Sequence, residues 1–149
     1  MLPIQKVLCS TDFSQPSREG LAAAAELALH FGAEMVLVHA VPVLPALPPD
    51  PNFVFNVPEY ELALHAEAND RLRELAQEMA AKGIKTRTLV GHGNAGNEIV
   101  RIAKEEGAGL IVIATHGETG WRHGVFGSVA EKVVRHAHCP VLTVRASSH

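Results

Sequence analysis

The chain has 149 residues, of which 47% are hydrophobic and 19% charged, and its formal net charge is −3. This composition predicts a soluble globular protein and excludes a disordered chain, and the interspersed charges form no basic run of the kind that binds nucleic-acid backbones. We expect a single domain over residues 1–149, with no apolar stretch approaching the ~18–20 residues of a membrane span.

The expected compartment follows from the first residues and the cysteines. The start, MLPIQKVLCS, lacks the basic-then-apolar layout of a signal peptide. Two cysteines in a chain of this length suggest no disulfide framework, which favours a reducing compartment. The sequence therefore predicts a cytoplasmic protein without a membrane or nucleic-acid partner.

Five short apolar runs alternate with helical patterns along the chain. The predicted strands are residues 4–9, 35–39, 85–90, 110–114 and 141–144. After the first run, Ser14 predicts a helix N-cap, with Pro16 tolerated in the first turn and Gly32 ending the helix. Its apolar face is a stripe at helical spacing made by Leu21, Ala24, Ala25, Ala28 and Leu29.

Three further helices follow the second, third and fourth strands. The second carries an apolar stripe made by Leu64, Ala68, Leu72, Leu75 and Met79. Gly83 ends this helix, and Gly107 ends the third, which is marked by Ile99 and Ile102. The fourth is predicted over residues 129–137.

Alternating strands and helices with continuous apolar strands predict an α/β fold, a parallel sheet covered by helices on both faces. The helices must divide between two faces, so the strand order reverses somewhere, and ligands bind at the carboxyl ends of strands at that reversal. If the order is 3-2-1-4-5, the reversal lies between the first and fourth strands. The segments CSTD and ATHG, which end these two strands, would then face each other.

The segment from Val41 to Pro58 interrupts this alternation. It holds six of the nine prolines, so we expect neither helix nor central strand there. Its length indicates a functional lid or mobile flap, in which Phe53, Val54 and Phe55 would cover a ligand or partner, or a loop folded onto the body of the domain.

Several common nucleotide-binding and catalytic motifs are either absent or matched only in part. The run GHGNAG, from Gly91 to Gly96, matches G-x-G-x-x-G but follows the third strand, and no acidic residue ends the next strand to hold a ribose. We interpret it as a strand-to-helix turn with Asn94 as N-cap. A Walker A motif and a G-x-S-x-G nucleophile elbow do not occur, and a phospho-receiver would need an Asp where the third strand ends in Val90 and Gly91.

The densest histidine cluster is HAHC, which contains His136, His138 and Cys139. Its spacing matches no usual zinc pair, so we expect surface and cap residues rather than a metal site. Cys9 and Cys139 are predicted near opposite ends of the sheet, too far apart for a disulfide.

The segment ATHGETGWRHGVFGS has the chemistry of a phosphate site. Its glycines allow close approach of the backbone to a ligand, and successive free N–H groups form an anion-binding nest. Gly127 and Ser128 open a helix whose N-terminus adds donors and partial positive charge. The Ser128 hydroxyl serves either a phosphate oxygen or the helix as N-cap.

These residues resemble the C-terminal signature of the universal stress protein family, in which nucleotide-binding members carry G-x-x-G, nine residues, then G-[ST]. Gly117 matches the second glycine and Gly127-Ser128 close the motif, whereas Ala114 replaces the first glycine. The resemblance extends through VLCSTDFS near the start, LVHAV on the second strand and GSVAEKVVRHAHCPVLTVR at the end.

The resemblance implies a doubly wound five-stranded parallel sheet of order 3-2-1-4-5, similar to adenine nucleotide alpha hydrolases. It implies a stress-response regulator that binds ATP or AMP, with Mg²⁺ held through the phosphates, and a homodimer formed through the strand from Val141 to Arg145. The residues matching the family's nucleotide site are Ser10, Thr11 and Asp12 at adenosine, Ala40 at the base through its backbone, and Ala114, His116, Gly117, Gly127, Ser128 and Val129 at ribose and phosphates.

Two alternative functions stay open at this point. One is a weak ATP hydrolase, although no lysine lies in the phosphate loop and only His116 and His123 are candidate bases there. The other is a dimeric interaction protein whose pocket no longer binds nucleotide.

Overall fold

The computed structural model describes residues 2–44, 52, 57–115 and 127–146. In these ranges the chain forms five strands and four helices that alternate. They are β1 (Lys6–Ser10), α1 (Gln15–Phe31), β2 (Glu34–Val41), α2 (Val57–Ala81), β3 (Thr86–His92), α3 (Ala95–Glu106), β4 (Leu110–Ala114), α4 (Ser128–His136) and β5 (Val141–Val144).

The strands form one parallel sheet of order β3-β2-β1-β4-β5, which confirms the predicted doubly wound fold. Val7 lies opposite both Met35 of β2 and Leu110 of β4, so β1 is the central strand. The connections leave β1 toward β2 on one side and reach β4 on the other. The carboxyl ends of β1 and β4 therefore border the switch point at which such sheets bind ligands.

Two apolar layers hold the helices on opposite faces of the sheet. On one face, α1 and α2 pack against alternate strand residues, including Val7, Met35 and Val112. On the other, α3 and α4 pack against the intervening residues, including Leu8 and Ile111. Because successive residues of a strand point to opposite faces, the continuous apolar strands supply both layers.

Local capping signals define the ends of α1 and α3 as predicted. The Ser14 side chain accepts a hydrogen bond from the Ser17 N–H, and Gly32 ends α1 in the left-handed conformation. Asn94 caps α3 by accepting from the Asn97 N–H. The run GHGNAG is thus a strand-to-helix turn, as interpreted from the sequence.

Besides shifts of one or two residues at the ends of several strands and of the last helix, two details of the predicted elements were wrong. Leu29 does not join the buried face of α1 and is 50% exposed. The segment from Val41 to Pro58 is not free of regular structure at its ends, since Val41 closes β2 and α2 begins at Val57. Pro58 is tolerated there because the first turn of a helix needs no donor from it. Phe53, Val54 and Phe55 lie outside the described residues.

The two cysteines are free. Cys9 is fully buried, and this burial raises the pKa of its thiol to about 12. Cys139 is half-buried at the entry to β5, and burial raises the pKa of its thiol as well. Neither thiol has the low pKa of a nucleophilic cysteine.

Candidate functional site

A cavity of about 410 Å³ opens at the carboxyl ends of β1, β2 and β4. The residues lining it include every predicted site residue that the structure describes, namely Ser10, Thr11, Asp12, Ala40, Ala114, Gly127, Ser128 and Val129. The other two, His116 and Gly117, lie outside the described residues, as do Trp121 and His123. The predicted site residues that can be placed thus converge on one cavity at the switch point.

The turn after β1 is fixed by a buried hydroxyl. Thr11 is 7% exposed, and its Oγ1 accepts a hydrogen bond from the Phe13 N–H at 2.9 Å. The Ser17 hydroxyl donates to the Ser14 carbonyl at 2.7 Å, so its single proton is already used. The Thr11 hydroxyl must therefore donate to Ser17 Oγ, which lies 3.0 Å away. These bonds hold Phe13 at a φ of 65°, a conformation that is uncommon for residues other than glycine.

Asp12 lies at the exposed rim of the cavity. Its Oδ1 accepts a hydrogen bond from the Ser14 N–H at 3.0 Å and a second, short bond from the Ser14 hydroxyl. The carboxylate is therefore held at the start of α1, where its negative charge is favourable.

His39 contributes to the site, although sequence analysis did not single it out. Its Nδ1 donates a hydrogen bond of 2.8 Å to the Thr11 carbonyl, the partner being an acceptor only. Its ring lies 4.5 Å from that of Phe13, and the guanidinium of Arg71 lies 4.2 Å from the Phe13 ring centre. The turn after β1 is thus held in place by His39 of β2 and Arg71 of α2.

Glycine at position 127 is required by a close backbone approach. The Gly127 N–H donates to the Thr115 carbonyl at 2.9 Å, and a Cβ on Gly127 would lie 2.8 Å from that same oxygen. Its φ of −58° is ordinary, so contact and not backbone conformation excludes a side chain. This bond joins the end of β4 to the start of α4.

Thr115 lines the cavity and carries a polar atom with no partner among the described residues. Its Oγ1 is buried and makes no hydrogen bond within the described part of the chain. Buried hydroxyls in native proteins are almost always hydrogen-bonded. An orphan of this kind beside a cavity indicates a place for a polar ligand atom.

Ser128 is not the N-cap of α4. The helix begins at Ser128, Gly127 occupies the cap position, and no side chain of the described residues caps the helix. Glycine is itself acceptable at an N-cap, which is why the sequence did not separate the two possibilities. The Ser128 hydroxyl is therefore available to the cavity that it lines.

Ala114, which replaces a glycine of the family signature, directs its methyl group toward α1. Its Cβ lies 3.7 Å from the point at which Gly20 would carry a Cβ. Gly20 is buried and has no side chain, so it leaves room for this methyl group. The replacement is therefore accommodated by the helix packing.

Neither a membrane segment nor a metal cluster is found among the described residues. None of their helices is long and apolar enough to cross a membrane. Within the same ranges, no three His, Cys, Asp or Glu side chains come together as metal ligands.

Comparison with known proteins gives a consistent result along the chain. The family model described as "Universal stress protein family" matches residues 3–145. The universal stress protein MJ0531 of Methanocaldococcus jannaschii is 36% identical over 143 residues, which cover 95% of this chain and 82% of that protein.

Solved structures agree with the same fold. The universal stress protein UspA from Lactobacillus plantarum has a TM-score of 0.81 at 26% identity, covering 95% of this chain and 98% of that one. A universal stress protein solved in complex with cAMP has a TM-score of 0.62 at 25% identity, covering 97% and 98%.

Proposed function

Because this chain belongs to the universal stress protein family, we propose that it is a regulatory protein of the stress response that binds ATP or AMP and acts as a homodimer. The observation that carries the proposal is the cavity at the carboxyl ends of β1 and β4. Its lining contains the described residues that match the family's nucleotide site.

The size and lining of the cavity suit a nucleotide. A volume of about 410 Å³ falls within the range of small-molecule sites, and its walls are mainly apolar with a few convergent polar groups. The orphan Thr115 hydroxyl and the uncapped start of α4 offer hydrogen bonds that no described residue uses. A relative of the same fold is known in complex with cAMP, an adenine nucleotide.

The two ends of the cavity differ in chemistry, which suggests an orientation for the ligand. The backbone of Ala40 and the turn at Thr11 would hold the base and ribose. The first N–H groups of α4, which directly follow Gly127, would hold phosphate, because a helix N-terminus favours anions. Mg²⁺ would enter with the nucleotide, held through its phosphates.

Calorimetric titration with AMP and ATP tests the proposal. We expect saturable binding, accompanied by a change in the fluorescence of Trp121, the single tryptophan of the chain. Ala114→Gly should leave the affinity unchanged, because the methyl group faces Gly20 and not the ligand. Absence of saturable binding at millimolar nucleotide would contradict the proposal and favour a dimeric interaction protein, and steady release of phosphate from ATP would indicate a hydrolase.

The homodimer is proposed through β5, which is an edge strand of the sheet. Ile111 of β4 and Thr115, which directly follows β4, donate to the carbonyls of Pro140 and Val144. Because bonding in a parallel pair uses alternate residues, the N–H and C=O of Thr143 point away from β4. This outer edge could pair with a second copy, and Leu142 is 40% exposed beside it.

Thr143→Pro tests the dimer without removing a bond to β4. We expect sedimentation equilibrium to show a dimer for the wild type and a weakened dimer for Thr143→Pro, with Thr143→Val as the control that keeps the donor. A monomeric wild type at tens of micromolar would contradict the dimer. A dimer equally stable in both variants would mean that the interface lies elsewhere.

A further inference from the structure

A second, smaller cavity adjoins the nucleotide cavity where α3 and α4 pack together. Its volume is about 290 Å³, and it shares the wall formed by Ser128 and Val129 with the larger cavity. Asn94, at the start of α3, also lines it, and the rest of its wall is formed along α4 by Glu131, Lys132, Arg135 and His136. The two cavities therefore meet at the start of α4, where the proposed phosphate site lies.

Lys132 is positioned by a glycine on the neighbouring helix. A Cβ on Gly96 would lie 2.9 Å from Lys132 Cδ and 3.0 Å from its Cβ, so the lysine stem fills the space that Gly96 leaves open. The residue is half-buried. Long side chains on a helix point toward its N-terminus, which directs this ammonium toward the starts of α3 and α4.

A positive charge at this place is unfavourable without an anion. Helix N-termini carry partial positive charge, so both helices repel a lysine ammonium placed at their starts. The Lys132 side chain makes no hydrogen bond or ion pair within the described ranges. Glu131 lines the same cavity, but its carboxylate pairs with Arg135 on α4, and Glu98 pairs with Arg101 on α3.

We propose that Lys132 binds the terminal phosphates of the nucleotide and sets a preference for ATP over AMP. This inference rests on the proposed function. A phosphate chain that begins near Gly127 and passes Ser128 would reach the smaller cavity, because Ser128 lines both cavities, whereas the single phosphate of AMP would end before it. Lysine suits this role because its compact charge interacts with phosphate oxygens without a fixed geometry.

The test is a calorimetric comparison of AMP and ATP in matched variants. Lys132→Met keeps the packed stem and removes the charge, and we expect it to lower ATP affinity at least tenfold while changing AMP affinity less than twofold. Lys104→Met, on the exposed last turn of α3, changes the net charge equally and should alter neither affinity. Lys132→Arg should retain most of the preference for ATP.

Gly96→Ala offers a second test, in which Lys132 itself is not substituted. Alanine is favoured over glycine inside a helix, so the fold should persist, but the added methyl group would displace the Lys132 stem. We expect this variant to show a smaller preference for ATP over AMP than the wild type. Inorganic tripolyphosphate should also compete less effectively with ATP for this variant than for the wild type.

The outcomes separate this inference from the proposed function. If the wild type binds both nucleotides and Lys132→Met keeps the wild-type ratio of their affinities, the role of Lys132 is wrong and the proposed function stands. If the wild type shows no measurable binding of AMP, ATP or tripolyphosphate, the proposed function and the role of Lys132 are both wrong.

Discussion

Replacing Thr11 by Val tests the hydrogen bonds that shape the turn at the nucleotide cavity. Valine keeps approximately the same shape but removes the acceptor for the Phe13 N–H and the donor to Ser17 Oγ. Each hydrogen bond contributes about 1 kcal/mol net, so we expect a loss of about 2 kcal/mol in the free energy of unfolding. For a chain of this length the loss corresponds to a fall of about 4–8 °C in Tm.

The assay is urea unfolding of four proteins in a double-mutant cycle: wild type, Thr11→Val, Ser17→Ala and the double variant. Because the two side chains share one hydrogen bond, the cycle should give a coupling energy of about 1 kcal/mol. Thr11→Ser is the matched control, since it keeps both bonds and loses one buried methyl group, at a cost of about 1 kcal/mol. A coupling energy below about 0.3 kcal/mol, or Thr11→Val as stable as the wild type, would refute the assigned hydrogen bonds.

Three further predictions follow from other parts of the fold. Gly127→Ala would place a Cβ 2.8 Å from a backbone carbonyl oxygen, so calorimetric titration should show weaker ATP binding than for the wild type. In the control variant Gly109→Ala, the Cβ meets nothing closer than 3.6 Å. Equal ATP affinity of the two variants would contradict the site. The side-chain hydrogen bond from Arg87 lowers the pKa of Glu34 in the folded protein. The Glu34 carboxylate therefore contributes fully to stability above its pKa in the unfolded chain, and this contribution is lost as the pH falls through its pKa in the folded protein. The stability difference between the wild type and Glu34→Gln, measured by urea unfolding, should therefore shrink below about pH 4, and a constant difference would contradict the ion pair. A thiol reagent should modify Cys139 in the native protein and Cys9 only after unfolding, and a native Cys139→Ser variant that still reacts rapidly would contradict the burial of Cys9.

The features of the fold that were predicted from the sequence are those with local causes. Ser14, Gly32 and Asn94 cap their helices through bonds within a few residues, and such bonds leave a readable pattern. Alternation of strands and helices was enough to predict a parallel sheet. The strand order could not be derived in this way, because the periodicity of a strand does not specify which strands lie beside it. The order 3-2-1-4-5 was assumed to locate the switch point and was implied by the family resemblance.

Residues that line the cavity were predicted where a motif carries them and were missed where distant segments meet. A histidine within the apolar run LVHAV has no pattern that connects it with Thr11, so the role of His39 appears only when β2 lies beside β1. Lys132 lies among other charged residues of α4, in a pattern that is typical of a solvent-exposed helix face, so the sequence gives no sign of a particular role. Its position depends on Gly96, which lies on a different helix.

The claim that an adenine nucleotide binds at the carboxyl ends of β1 and β4 is tested most directly by following backbone amide resonances of isotope-labelled protein during titration with ATP. The account predicts saturable shifts concentrated at Thr11, Ala40 and Gly127–Val129, which line the cavity from three separate segments. Saturable shifts confined to another surface, such as the outer edge of β5, or no saturable shifts at millimolar ATP, would contradict it.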